Sequence, residues 1–112
     1  MCTRNQLNEI LRRISTESKT VFGDKLHSVI LFGSYARGDY DKDSDVDVLI
    51  LVDLRPEELA KYRTHIDTLC GELLINYGIV VSAIEKDLTS YNKYSNVLPF
   101  YKNIEREGVK IA

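Results

Sequence analysis

The segment DVDVLILV, residues 45–52, constrains the fold more than any other part of the chain. Val48 to Val52 is apolar at every position, so a strand here has no face to give to water. It must run through the middle of a sheet, with a layer packed on each side. Its opening is as unusual as its body. Asp45 and Asp47 are separated by one residue where the strand should begin, and aspartate is depleted in strands. On a strand these two carboxylates point to one face, while Val46 and Val48 point to the other.

The flanking sequence supplies the covering layers. Thr3 followed by Gln6 reads as a capping box, and Leu7, Ile10, Leu11 and Ile14 recur at helical spacing. This predicts a first amphipathic helix over about residues 4–20, ending before Gly23. HSVILFG (27–33) reads as a strand stopped by glycine. RPEELAKYRTHIDTLCGELLINYG (55–78) opens with proline and two glutamates and carries a stripe at Leu59, Tyr62, Ile66, Leu69 and Leu73. It is expected to be one helix, stopped by Gly78. IVVSAI (79–84) reads as a third strand. A short helix is expected near KDLTSYNKY (86–94), another from Pro99 to Gly108, and then VKIA, a brief tail with edge-strand character.

The order is α, β, turn, β, α, β, α, α, which predicts an α/β (α+β) sandwich with helices on a small mixed sheet, in one domain spanning 1–112. Only GSYARGDYDKDS separates the first two strands. A parallel crossover needs roughly a dozen residues or more, most often a helix, so an antiparallel pairing is at least as well supported.

Several function classes recede on composition. Fifteen Lys and Arg against 17 Asp and Glu give a net charge of −2 without a basic block, which argues against duplex nucleic acid as a partner. No apolar run reaches membrane-spanning length. Cys2 and Cys70 lack metal or disulfide spacing, and a reducing cytoplasm is expected. His27 and His65 belong to no spaced ligand set. The aromatic stretch YNKYSNVLPFYKN (91–103) is read first as packing on the sheet and second as a docking surface for a partner.

The turn between the strands carries the chemistry. Gly33 lets a ligand approach the backbone closely, and a short helix starting at Ser34 would offer free N–H groups and a hydroxyl to phosphate. Arg37, one turn on, carries a fork of donors suited to phosphate oxygens. The paired carboxylates Asp45 and Asp47 can share a hard divalent cation such as Mg²⁺. Phosphoryl or nucleotidyl transfer is the chemistry these parts serve.

GSYARGDYDKDSDVDVLI (33–50) closely resembles the signature of the nucleotidyltransferases with a DNA polymerase β-like fold. The pattern is a glycine-serine pair, a nearby arginine-glycine, and serine-aspartate-x-aspartate opening a strand. Here it reads Gly33-Ser34, Arg37-Gly38 and Ser44-Asp45-Val46-Asp47. The length is similar to that of the minimal nucleotidyltransferases (MNT), small single domains often encoded beside a helical HEPN-class partner as an antitoxin–toxin pair. Some of these transfer AMP from ATP to a tyrosine of that partner. The resemblance implies that Asp45 and Asp47 are catalytic and bind Mg²⁺. It implies that Gly33, Ser34, Arg37 and Ser44 form the nucleotide-binding segment, Ser34 holding the triphosphate of ATP.

One position departs from the family pattern. Active members carry a third carboxylate on a neighbouring strand, and the corresponding residue here is Ser82. Glu85 and Asp87 lie close by. Glu85 has the wrong strand parity and would need a bend to swing in; otherwise both are solvated charges at a helix start. The sequence therefore supports two expectations: a protein adenylyltransferase, slowed by the missing carboxylate, acting as antitoxin, or a catalytically impaired module that neutralises its partner by masking. A 112-residue chain leaves no room for a template-holding or drug-binding domain, so neither polymerase nor drug-modifying activity is expected.

Overall fold

The computed structural model describes residues 2–112. Four strands form one sheet in the order β3-β2-β1-β4, where β1 is Leu26–Phe32, β2 Val46–Val52, β3 Val81–Asp87 and β4 Val109–Lys110. β1 pairs antiparallel with both β2 and β4, while β2 and β3 are parallel. The mixed α/β architecture is the one expected, and the short first connection closes antiparallel.

β2 is the central strand, and its two faces enter two cores. Val46, Val48, Ile50 and Val52 are buried with Ile10 and Ile14 of helix α1 (Arg4–Phe22) and Ile66, Leu69 and Leu73 of helix α4 (Arg63–Tyr77). Leu49 and Leu51 face the other way. They pack with Tyr91 of helix α5 (Leu88–Tyr94) and Tyr101 and Ile104 of helix α6 (Pro99–Glu107). Burial on both sides is what the unbroken apolar run demands.

Helix α1 begins with the anticipated capping box: Thr3 Oγ1 accepts from the Gln6 amide at 3.1 Å, and Gln6 Oε1 from the Thr3 amide at 3.0 Å. It continues to Phe22, which is buried with its ring 5.2 Å from Tyr62 in an edge-to-face pair.

Two boundaries differ from expectation. The helix expected as one unit over 55–78 is divided into α3 (Pro56–Leu59), a 3₁₀ turn (Ala60–Tyr62) and α4, and the break falls where Tyr62 meets Phe22. β3 runs three residues beyond the expected end, because its parallel ladder with β2 continues through Lys86 and Asp87. Pairing to a central strand overrides the helix-start character of those charges. Asp87 is buried, not solvated. It caps α5 by accepting the Ser90 amide at 2.9 Å. Burial pushes its carboxyl upward, but the Ser90 bonds prevail and hold it below the usual range.

The aromatic stretch 91–103 splits between its two readings. Tyr91 and Tyr101 are core residues, while Tyr94, Val97, Leu98 and Phe100 are exposed.

Candidate functional site

β1 ends at Phe32, and the backbone then turns sharply through Gly33, at φ 77° and ψ −157°. This region is essentially reserved for glycine. There is a second reason for glycine here: a Cβ on Gly33 would overlap the Asp47 carboxylate oxygen Oδ2. The single helical turn α2 (Ser34–Arg37) follows at once, with the Ala36 and Arg37 amides donating to Gly33 O at 3.1 and 3.0 Å. The first amides of such a turn have no intrahelical acceptor. Tyr35 pins the turn to the core: it is buried, its hydroxyl accepts from the Cys2 amide at 3.5 Å, and its ring stacks on Tyr40 at 4.3 Å.

The returning loop is built by Asp41 and Ser44. Asp41 Oδ1 accepts from the Asp43 amide, Ser44 Oγ accepts from the Asp41 amide, both at 2.9 Å, and the Ser44 amide donates to Asp41 O at 3.2 Å. Ser44 thus closes the turn that delivers Asp45 to the start of β2; its hydroxyl is engaged within the loop. Val46 is then tied to the chain beside it by its amide, 3.0 Å from Val80 O.

Asp47 stands between Phe32 of β1 and Ser82 of β3 in the sheet register. It shares a face with Leu49 and Leu51, at the end of that face nearest Gly33. Asp45, one residue before the strand, is exposed and has the same parity. Burial raises the Asp47 carboxyl above its usual range, the Asp45 charge raises it further, and Arg37 opposes both. A half-buried carboxylate beside a second one is a site short of positive charge.

Arg37 lies on the rim, with Nε donating to Asp39 Oδ2 at 3.1 Å and Nη1 to Glu107 Oε2 at 3.4 Å. Gly33, Ser34, Arg37 and Asp47 line one open cleft of about 360 Å³. Its far wall comes from α6: Phe100, Asn103, Ile104 and Glu107, with Phe32 between. Phe100 and Asn103 belong to the aromatic stretch 91–103, whose residues carry no sign of a place beside the Ser34 turn. They reach the site because Tyr101 and Ile104 pack α6 on the sheet, and the pairing of β4 with β1 through Leu31↔Val109 holds its end near the cleft.

Among the described residues, no group of three or more His, Cys, Asp and Glu side chains is disposed around a common point. The two aspartates fit a cation that takes its remaining ligands from substrate phosphates and water, as Mg²⁺ does. Ser82 lies beside Asp47 in the register of β2 with β3, and its hydroxyl adds no third carboxylate to the pair. Glu85 does not replace it. β3 keeps register to its end, Glu85 lies opposite Ile50, and the bend that would swing it in is not there. Its Oε1 is buried without a partner on the α4 side of the sheet, where burial raises its carboxyl and Arg63 opposes. His27 and His65 are elsewhere, bonded to Ser28 and Glu17.

Comparison with known proteins bears on the family and the fold. Residues 7–111 match the nucleotidyltransferase domain family. A Methanocaldococcus jannaschii protein, provisionally named a protein adenylyltransferase, is 39% identical over 106 residues, covering 95% of this chain and 99% of that one. A crystal structure from Sulfolobus solfataricus, provisionally named a nucleotidyltransferase, superposes with a TM-score of 0.58 at 22% identity, covering 94% and 80% of the two chains. A chain from the Shewanella oneidensis complex of a tri-AMPylated HEPN toxin with an MNT antitoxin superposes with a TM-score of 0.54 at 18% identity, covering 94% and 71%.

Proposed function

The chain belongs to the nucleotidyltransferase domain family, and from that premise we propose that it binds ATP with Mg²⁺ and transfers AMP to a hydroxyl of a protein, a tyrosine of a HEPN-type helical partner whose toxicity it restrains. The observation that carries this reading is the close approach of the Asp47 carboxylate to Gly33, which sets Asp47 against the Ser34 turn. The curated relative's name and the Shewanella complex support the acceptor class.

In this reading Ser34 and the free amides of α2 hold the triphosphate. Asp45 and Asp47 would hold Mg²⁺, and the ion would supply neutralisation of the phosphate charge. Arg37 exchanges its contacts with Asp39 and Glu107 for phosphate oxygens. The acceptor oxygen attacks the α-phosphorus, the bond to the bridging oxygen breaks, and pyrophosphate leaves with the electron pair. The acceptor proton goes to solvent or to a base of the partner, since Ser82 is not ionised and Glu85 faces away. Free Cys2 and Cys70 suit a reducing cytoplasm, where ATP is found.

Ser82 favours a second reading, a module that binds its partner and masks it without transfer. Labelled ATP, Mg²⁺ and the protein encoded beside this one separate the two. Label on the partner that vanishes with Asp45→Asn or Asp47→Asn supports transfer; a tight unlabelled complex supports masking.

A further inference from the structure

The geometry points to a nucleobase-binding corner at the α6 end of the cleft, in which the Phe100 ring carries the base and Asn103 reads its edge. This rests on the reading that the Ser34 end holds phosphate, and it adds what that reading lacks: a reason to prefer a nucleotide over a bare polyphosphate. Phe100 is 44% exposed, unlike Phe22, which is buried, and Phe32, which is partly covered. It meets Phe32 edge-to-face, with centroids 5.5 Å apart and planes at 89°. Its other aromatic neighbour, Tyr101, is tilted at 5.6 Å, and the remaining ring surface is open to water in the cleft that Asp47 lines. A large apolar ring kept open to water beside a charged cradle is the composition of a ligand pocket, apolar over most of a base and polar at a few points. Ile104, buried at the cleft floor, extends the apolar wall.

Asn103 supplies the polar point. Its side-chain oxygen accepts from Arg106 Nη2 at 2.9 Å. A guanidinium has no acceptor, so the amide oxygen must face Arg106 and the NH₂ group is left to donate. Asn103 lines the cleft, and ring nitrogens or carbonyl oxygens of a base bound there would accept from this donor. The cleft, about 360 Å³ and open to solvent, suits a nucleotide lying with phosphates at Ser34 and base at Phe100.

The test is calorimetric titration with Mg²⁺ present, using ATP and inorganic tripolyphosphate as probes, on the wild-type chain and on Phe100→Ala, Phe100→Tyr and Asn103→Ala. Base stacking on an aromatic ring predicts that Phe100→Ala weakens ATP about tenfold, leaves tripolyphosphate unchanged, and is rescued by Phe100→Tyr. Asn103→Ala should compress the spread of affinities among ATP, GTP, CTP and UTP. Thermal unfolding of each variant confirms that it is folded. If wild-type protein binds tripolyphosphate as tightly as ATP, or Phe100→Ala weakens both alike or neither, the base corner is wrong and the phosphate reading stands. If the wild type binds neither probe, both fall.

Discussion

Replacing Gly33 by alanine tests the packing on which the site depends, and the molecule contains its own control. Gly33 has φ 77° and ψ −157°, and a Cβ there overlaps Asp47 Oδ2. Gly78, the left-handed cap of α4, has φ 67° and ψ 22°, with nothing within 4 Å of its would-be Cβ. Alanine at Gly78 meets only the backbone penalty, about 1 kcal/mol once the stiffer unfolded chain is counted. Alanine at Gly33 meets a harsher backbone penalty, about 1–3 kcal/mol, and drives the Asp47 carboxylate off its rotamer for about 1 kcal/mol more. For a chain of this length each kcal/mol lowers Tm by about 4 °C. Thermal unfolding should therefore show a loss of about 4 °C for Gly78→Ala and about 8–16 °C for Gly33→Ala. Adding Asp47→Ala to Gly33→Ala should return part of the difference, a coupling that additive sites would not show. Calorimetry with Mg²⁺ and ATP should find Gly78→Ala unchanged and Gly33→Ala weakened by about tenfold or more, a modest loss for a displaced ligand. A folded Gly33→Ala that binds ATP as the wild type does would refute the reasoning, because the displaced carboxylate would then be dispensable.

Three further outcomes follow from the site's charges. The Asp47 carboxyl is raised in the fold, so the native state holds its proton to higher pH than the unfolded chain; stability falls as pH rises from the ordinary carboxylate range through the raised value and stays lower above it. Asp47→Asn should therefore raise Tm at pH 7 and remove that slope, while abolishing Mg²⁺-dependent ATP binding; a lower Tm at pH 7 contradicts the assignment. Glu107→Gln removes a carboxylate that holds Arg37 at 3.4 Å and should tighten tripolyphosphate binding a few-fold at low salt, with the gain shrinking at high salt; calorimetry at two ionic strengths reads it. Ser82→Asp places a carboxylate beside Asp47 and should raise single-turnover AMP transfer on the order of 100-fold if acceptor deprotonation limits the rate, at a cost in Tm from like-charge repulsion; an unchanged rate means another group takes the proton.

The legible part of this molecule was the part written locally. The run from Val48 to Val52 required two covering layers, and α1/α4 and α5/α6 are those layers. The alternation of Asp45 and Asp47 required a common face, and Gly33 before Ser34 marked the end of the strand and the start of a short helix. What sequence could not reveal depends on pairing between distant segments. Glu85, Lys86 and Asp87 carry the charges of a helix start, yet the ladder with β2 keeps them extended. Arg37 carries no sign in sequence that Glu107, seventy positions away, is its partner. Phe100 and Asn103 reach the cleft because Tyr101 and Ile104 pack α6 on the sheet and the two-residue strand Val109–Lys110 pairs with β1. Ser44 matches the motif, but its hydroxyl serves the loop that presents Asp45.

The most direct test of the whole account is to replace Mg²⁺ by Mn²⁺, bind ATP, and record paramagnetic broadening of the backbone amide signals by NMR. The account predicts that Gly33, Ser34, Tyr35, Asp45 and Asp47 lose their signals first, and that Asp47→Asn restores them. Broadening centred on any other region, or unaffected by that substitution, would contradict it.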